Sequence, residues 1–224
     1  MKASEPIIET PWDSRAFGIK TYEITSLSES VLKEIQCLQG HFTVRVDPLS
    51  SKRILHDYGF YYCDTLIEPY CTPEKFIAFN DPASYVSRSV VLDDLLAVSH
   101  GAFIHGRFHR DFNINRDLAD LRYDLWLKDL YNSGDVLGLM YQDEIAGFFG
   151  LAANKIVLHA VGGKYRGKGL AKYLWSAACG EMFHSGYGEI RSSVSASNVV
   201  VLNVYSSLGF RFRNSLDVYH RFNK

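Results

Sequence analysis

An apolar run, Ile156-Val157-Leu158-His159-Ala160-Val161, leads into Gly162-Gly163-Lys164-Tyr165-Arg166-Gly167-Lys168-Gly169, and a helix-forming stretch opens at Leu170-Ala171. This glycine-rich turn between strand and helix constrains the fold more than any other segment. It needs a backbone free to take φ > 0 and a helix whose N-terminus points back at the strand's end. Such a turn leaves several backbone N–H groups unpaired and aimed at one point, and the helix dipole adds attraction for a phosphate. Arg166 and Lys168 bring charge that neutralises a pyrophosphate. The alternative is a generic basic turn, and the turn alone does not separate the two. Neither Gly-Lys-Ser/Thr nor Gly-x-Gly-x-x-Gly is present, so Walker-type and dinucleotide readings fit poorly.

Around this turn the second half alternates helices and strands. The periodicity predicts helices over 92–98 and 118–131, followed by strands over 136–141, 145–151 and 156–161 joined by Gln142-Asp143-Glu144 and Asn154-Lys155. A helix from about Gly169 to Phe183, a strand 189–195, a helix 199–208 and a strand 212–219 complete the order. The expected fold class is mixed α/β, a mostly antiparallel sheet flanked by helices.

Proline divides the chain: all six lie before residue 83, while 14 of the 17 glycines lie from Gly101 onward. Cys71 to Pro82 reads as a linker, dividing the chain into 1–80 and 81–224. A faint repeat links the two parts at an offset of 150 residues: strand, helix, Gly59-Phe60 and strand over 41–67, then strand, helix, Gly209-Phe210 and strand over 190–219. We read the first part as a degenerate partial copy without a cofactor loop, covering one edge of the main sheet, although chance similarity accounts for the same matches.

Composition excludes several classes. With 24 basic and 25 acidic side chains there is no positive excess of the kind that drives nucleic-acid binding. No stretch of 18 apolar residues is present, and Met1 to Pro6 carries an early acid and no signal-peptide run, so a cytoplasmic protein without a membrane partner is expected. Cys37, Cys63, Cys71 and Cys179 have neither Cys-x-x-Cys spacing nor His partners at metal-site spacing, so reduced thiols and no metal are expected.

Arg166-Gly167-Lys168-Gly169-Leu170-Ala171 resembles the Arg/Gln-x-x-Gly-x-Gly/Ala signature of the GCN5-related N-acetyltransferase (GNAT) superfamily. Asn198, Val201, Tyr205 and Gly209-Phe210 resemble its second signature, Asn-x-x-Ala-x-x-x-Tyr-x-x-x-Gly-Phe, with Val201 where Ala is usual. Gly162-Gly163 also departs from the family, replacing the common Pro before the loop. The resemblance covers about residues 86–224. It implies acetyl-CoA as acetyl donor, with the pyrophosphate on 166–171 and the pantetheine arm in a gap between strands 156–161 and 189–195. Backbone groups of His159, Ala160 and Val161 would then contact the arm and polarise the thioester carbonyl. Asn198 would hydrogen-bond the arm, or serve as a plain helix cap, or both. Tyr205, two helical turns from Asn198 on the same face, would protonate the departing thiolate; packing as a core aromatic is its alternative. The base that prepares the amine stays open among His105, His109, Asp111, Glu181 and a water chain.

Phe103 to Phe112 places Arg107, His109, Arg110 and Asp111 among aromatics. Arginines clamp phosphates and aromatics stack on bases, so the stretch suits a nucleotide-linked acceptor as well as it suits a polar interhelical loop. Trp12 to Gly18 is similar to the Trp-x-x-x-x-Phe-Gly opening of dTDP-fucosamine N-acetyltransferases, and Gly106-Arg107-Phe108-His109 to their Ser-Arg-Phe-Arg stretch. This likeness implies a dTDP-linked amino-dideoxy sugar as acceptor, surface polysaccharide synthesis (O-antigen or capsule) as context, and a homodimer. Another amine acceptor, or a non-catalytic acyl-CoA-binding module, are the rival readings.

Overall fold

The computed structural model describes residues 5–224; residues 1–4, part of the N-terminal stretch read above as free of a signal peptide, lie outside the described residues. Eleven strands form one sheet. Its strands are β1 (Ile7–Glu9), β2 (Thr21–Ile24), β3 (Gly40–Val46), β4 (Tyr61–Cys71), β5 (Ser84–Ser87), β6 (Val136–Tyr141), β7 (Glu144–Ala152), β8 (Lys155–Val161), β9 (Ile190–Ser192), β10 (Val194–Ser195) and β11 (Arg211–Asn223). Around it pack α1 (Pro11–Phe17), α2 (Glu29–Gln36), α3 (Arg53–Asp57), α4 (Leu92–Ser99), α5 (Arg116–Asn132), α6 (Ala171–His184) and α7 (Val199–Ser207). The mixed α/β class is as expected.

Local chemistry accounts for the meander β6–β7–β8. Gln142 and Asp143 both take positive φ (50° and 63°), the twist a tight hairpin requires, and Ala153 at 50° opens the next turn. Alternate residues of β8 are buried, so its two faces meet different helices. Phe149, Trp175, Tyr205 and Phe210 fill the core beneath α6 and α7. Leu95, Tyr123, Leu127, Phe148 and Leu158 fill the core beneath α4 and α5.

The strand order is β1-β2-β3-β11-β4-β9-β8-β7-β6-β5, with β10 pairing β4. The first part does more than cover an edge: β3 pairs the outer side of β11, and β4 lies inside the sheet, between β11 and β9. The repeat is nevertheless visible. Gly59 and Gly209 both adopt left-handed backbone (φ 74° and 84°), and Phe60 and Phe210 are both buried. In the antiparallel β4–β11 ladder Leu66 faces Leu216, its counterpart 150 residues on, and the pairs Tyr61–His220 and Tyr70–Arg211 exchange under the same offset. Each half thus lends its last strand to the other.

Residues 71–82, expected as a linker, are packed rather than loose. Phe76 and Phe79 lie against the α6–α7 core, Ile77 N–H donates to Leu208 O at 3.0 Å, and Phe79 N–H donates to Ser176 Oγ at 2.9 Å. α1 docks on α5 through a buried Arg122–Asp13 ion pair of 2.7 Å, while Phe17 meets Phe108 edge-on at 4.9 Å. Gly18 closes α1 in the left-handed conformation, φ 67°. The Trp12–Gly18 stretch is thus a helix and its cap, seated beneath the 103–112 segment. Cys37 is exposed and the other three cysteines are buried, all as free thiols. Among the described residues no helix is long and apolar enough to cross a membrane.

Candidate functional site

The turn after β8 is built from three pieces. Gly162 N–H donates to Ala146 O at 2.8 Å, a single 3-10 turn spans Gly163–Tyr165, and Gly167 and Gly169 take φ of 74° and 72°. Nothing crowds either glycine, so positive φ, not space, selects for them. Among the described residues the N–H groups of Gly167, Lys168, Gly169 and Leu170 have no hydrogen-bond partner. α6 follows with no side-chain cap and no acidic residue in its first turn. Unpaired donors and an uncompensated helix dipole converge there, an arrangement that favours a phosphate.

Charges around the turn take different parts. Arg166 Nε donates to Val161 O at 2.7 Å, folding the guanidinium back over the end of β8. Lys164 pairs with Glu144, and Tyr165 Oη donates to the same carboxylate at 2.5 Å, tying the turn to the β6–β7 hairpin. Lys168 has no ion-pair partner among the described residues; its amine lies 6.0 Å from the Tyr165 ring centre. A cavity of about 330 Å³ opens beside it, between Tyr141, Glu144, Tyr165 and Leu170.

β8 and β9 run parallel but pair only at Lys155–Arg191 and Ile156–Ser192. Beyond Ile156 the strands separate, and β10 turns away to pair β4. The Gly162–Ala146 hydrogen bond sets the alternation of the antiparallel β7–β8 ladder. Ala160 therefore turns its backbone groups to β7, while His159 and Val161 turn theirs into the gap. Of the three residues expected to offer backbone contacts, two face the opening. Val161 O is already engaged by Arg166, which leaves Val161 N–H and both groups of His159.

One face of this gap is lined by aromatics. The half-buried His159 ring lies 4.8 Å from Trp175 and 5.8 Å from Tyr205, and burial holds its pKa below the usual histidine range. Tyr205 is fully buried. Its hydroxyl and Trp175 Nε1 are buried with no hydrogen-bond partner; the neighbouring Ser192 Oγ donates to Ile156 O at 2.8 Å. Burial raises the Tyr205 phenol above its ordinary pKa. Tyr205 is thus a core aromatic with an orphaned donor at its tip. Asn198 caps α7, accepting from Val201 N–H at 3.3 Å, and Tyr205 follows on that helix. The residues present fit a thioester-bearing arm: open backbone groups on one strand, an unpartnered phenol beneath, and an anion cradle at one end.

The 103–112 segment distributes its polar residues unevenly. Arg110 Nη1 donates to Asp64 Oδ1 at 2.8 Å. His109 Nε2 meets Asp120 at 2.9 Å, and its Nδ1 is buried without a partner, as is Arg107 Nε. The Arg107 guanidinium stacks 4.5 Å over Phe108, and burial lowers its pKa. Asp111 faces inward: its Oδ2 lies 2.8 Å from His41 Nε2 and 2.7 Å from His220 Nδ1, and Tyr61 Oη donates to Oδ1 at 2.9 Å. Burial alone would raise this carboxyl, but the two imidazole contacts hold it below the usual carboxylate range. At 2% exposure Asp111 cannot meet an acceptor, and it leaves both the acceptor-binding set and the candidate bases. Glu181, another candidate base, lies on α6 and pairs at 3.8 Å with Arg88.

Sequence reasoning passed over Asp64, Ser195 and Trp175. The run Ser192-Ser193-Val194-Ser195-Ala196-Ser197 was the available signal, since so many hydroxyls at a strand end beside Asn198 suit a polar wall.

The sequence model of the family described as Acetyltransferase (GNAT) domain matches residues 121–220. No curated protein matches the chain. Among solved structures, a GCN5-related N-acetyltransferase from Sphaerobacter thermophilus superposes with a TM-score of 0.65 at 14% identity, covering 96% of this chain and 76% of that one. A putative GNAT-family acetyltransferase from Novosphingobium aromaticivorans gives 0.58 at 16% identity, covering 100% and 91%. A tandem GNAT protein from the clavulanic acid biosynthesis pathway gives 0.57 at 10% identity, covering 90% and 75%. Residues 121–220 are thus similar to an acetyltransferase (GNAT) domain, and the chain as a whole has the fold of these structures.

Proposed function

We propose that this chain transfers acetyl from acetyl-CoA, by direct attack in a ternary complex, to the amine of a dTDP-linked amino-dideoxy sugar used in surface polysaccharide synthesis. The observation that carries the donor side is the junction of four unpaired N–H groups at 167–170 with the gap beyond Ile156. Gly167 to Leu170 and Lys168 would hold the pyrophosphate. His159 and Val161 would pair with the arm, a His159 or Val161 N–H would polarise the thioester carbonyl, and the Tyr205 phenol would give its proton to the departing sulfur.

Support for the acceptor comes from the 103–112 segment. Arg107 and Arg110 supply cationic guanidinium groups, and Phe112, 80% exposed, stands beside Tyr61 with ring centres 4.6 Å apart. This pairing of charge and aromatic surface suits a diphosphate joined to a planar base. The first 80 residues we take as a degenerate copy of the domain in 81–224, as the β4–β11 ladder suggests.

Thiol release from acetyl-CoA with a panel of dTDP-amino sugars, polyamines and peptide N-termini tests the proposal. Preferred turnover of an amino sugar supports it. Turnover of a polyamine or peptide alone moves the acceptor, and no turnover with any amine overturns the enzyme reading in favour of an acyl-CoA-binding module.

A further inference from the structure

At the open end of the gap, polar groups from three separate parts of the chain join into one hydrogen-bonded series. Asp64 on β4 is 1% exposed. Its Oδ1 accepts from Ser195 Oγ at 2.7 Å, from Arg110 Nη1 at 2.8 Å and from Thr65 N–H at 2.9 Å. Ser195 Oγ lies 2.8 Å from Ser197 Oγ, which lies 3.4 Å from His105 Nδ1. Parallel register carried three residues on from Ile156–Ser192 sets Ser195 across the gap from His159.

The proton count gives this series a single direction. A serine hydroxyl has one proton to donate. Ser195 gives its own to Asp64, so Ser197 must donate to Ser195. With that proton committed, the contact to His105 must be donated by Nδ1–H. The 3.4 Å separation is long for a hydrogen bond. The consequence is a defined tautomer: the lone pair of His105 sits on Nε2, and a buried carboxylate stands at the far end of the series. His105 is partly exposed while Asp64 is sealed, so the basic nitrogen is the end that a bound amine can reach.

We infer that His105 Nε2 takes the proton from the acceptor's ammonium group, and that Asp64, a residue of the first half of the chain, is a positioning residue acting through Ser195 and Ser197. The inference rests on the acetyl-transfer reading above. An ammonium acceptor loses two protons on becoming an amide. The first N–H bond breaks with transfer to Nε2, and the proton passes on to solvent. The freed lone pair forms the N–C bond at the thioester carbonyl, the C–S pair leaves with sulfur, and the second proton ends on that sulfur as thiol. Arg107, His109 and Arg110 are the charged and titratable groups on the same segment; from α5, Tyr123 Oη stands against Gly106 and Asp120 holds His109.

Two measurements test this. Nitrogen-15 resonances of the His105 ring in the full chain, without substrate, report the tautomer. We expect Nδ1–H in the parent protein and a shift toward Nε2–H in Ser197→Ala; Nε2–H in both would overturn the series. The pH dependence of kcat/KM for the preferred acceptor then reports the role. His105→Gln should lower it about 100-fold at neutral pH and abolish the acidic limb, with acetyl-CoA affinity retained. Asp64→Asn and Ser197→Ala should lower kcat/KM by a smaller factor with acetyl-CoA affinity retained, since the ring then loses the partner that fixes its tautomer. Should Asp64→Asn fail to fold, Ser197→Ala carries the test alone. A His105→Gln enzyme with the parental profile overturns the assignment. Absence of turnover in the parent protein overturns the acetyl-transfer reading instead, while the tautomer measurement still stands.

Discussion

The two strand–helix–strand units of this chain differ where a ligand would bind. In the first half β2 and β3 run parallel and stay paired over all four residues of β2, Thr21 to Ile24. The helix between them is closed by Ser28, whose Oγ accepts from Val31 N–H at 3.3 Å, with Glu29 in its first turn. In the second half β8 and β9 pair at two positions and then part, and α6 begins with neither cap nor acid. A folded chain normally satisfies such groups, since unpaired backbone donors are costly when shielded from water. The second unit leaves them open at two adjoining places. The proposed acetyl-CoA site is thus an omission, on a scaffold that the first unit shows in its closed form.

The comparison depends on both units sharing one sheet, and the largest expected effect lies at their junction. His41 of β3 and His220 of β11 share one oxygen of Asp111. Asp111→Asn should cost about 3 kcal/mol in denaturant unfolding, because buried hydrogen bonds to a charged group are lost. Burial pushes the His220 pKa down from 6.5 to about 3. The folded protein therefore keeps His220 neutral where the unfolded chain would protonate it. Its contribution is complete above pH 6.5 and falls as pH drops toward 3, so stability should decline through that window in unfolding curves taken at stepped pH. Constant stability from pH 7 to pH 4 would contradict this.

Within the open unit, Gly167→Val with Gly169→Val forces two branched residues toward left-handed backbone. Acetyl-CoA affinity should fall by about 100-fold in calorimetry, with the far-ultraviolet spectrum retained. Tyr205→Phe should lower kcat by roughly 30-fold and leave acetyl-CoA affinity nearly unchanged; an unaltered rate removes the phenol from the chemistry. The smallest effect belongs to the closed unit. Ser28→Ala should cost about 1 kcal/mol of stability through the lost cap, with no change in cofactor affinity. A change in affinity there would mean that the two units are not distinct in function.

What the sequence revealed follows the range of the interaction involved. The turn at 162–170 and the helices after it were legible because glycine spacing and capping act over a few residues. The hairpin turns, read at 142–144 and 154–155, fall within a residue of their places at 142–143 and 153–154 for the same reason. β1, β2 and α2 were not read, and α1 entered only as a short motif, because those elements are brief and draw their stability from packing. The position of β4 between β9 and β11 lay beyond reach, since strand order is decided by pairing between distant segments. Asp111 shows the same limit: in its basic, aromatic stretch it reads as solvent-facing, and its partners His41 and His220 lie 70 and 109 residues away. Asp64 was passed over because its neighbour Ser195 stands 131 residues further on.

The central claim is that the open unit, not the closed one, receives acetyl-CoA. Backbone amide resonances followed during an acetyl-CoA titration test it most directly. The account predicts large, saturable shifts at Gly167, Lys168, Gly169 and Leu170 and at His159 and Val161 along the gap, with Ser26 to Ser28 ahead of α2 unmoved. Silent amides at 167–170, or equal shifts at both helix N-termini, would contradict it.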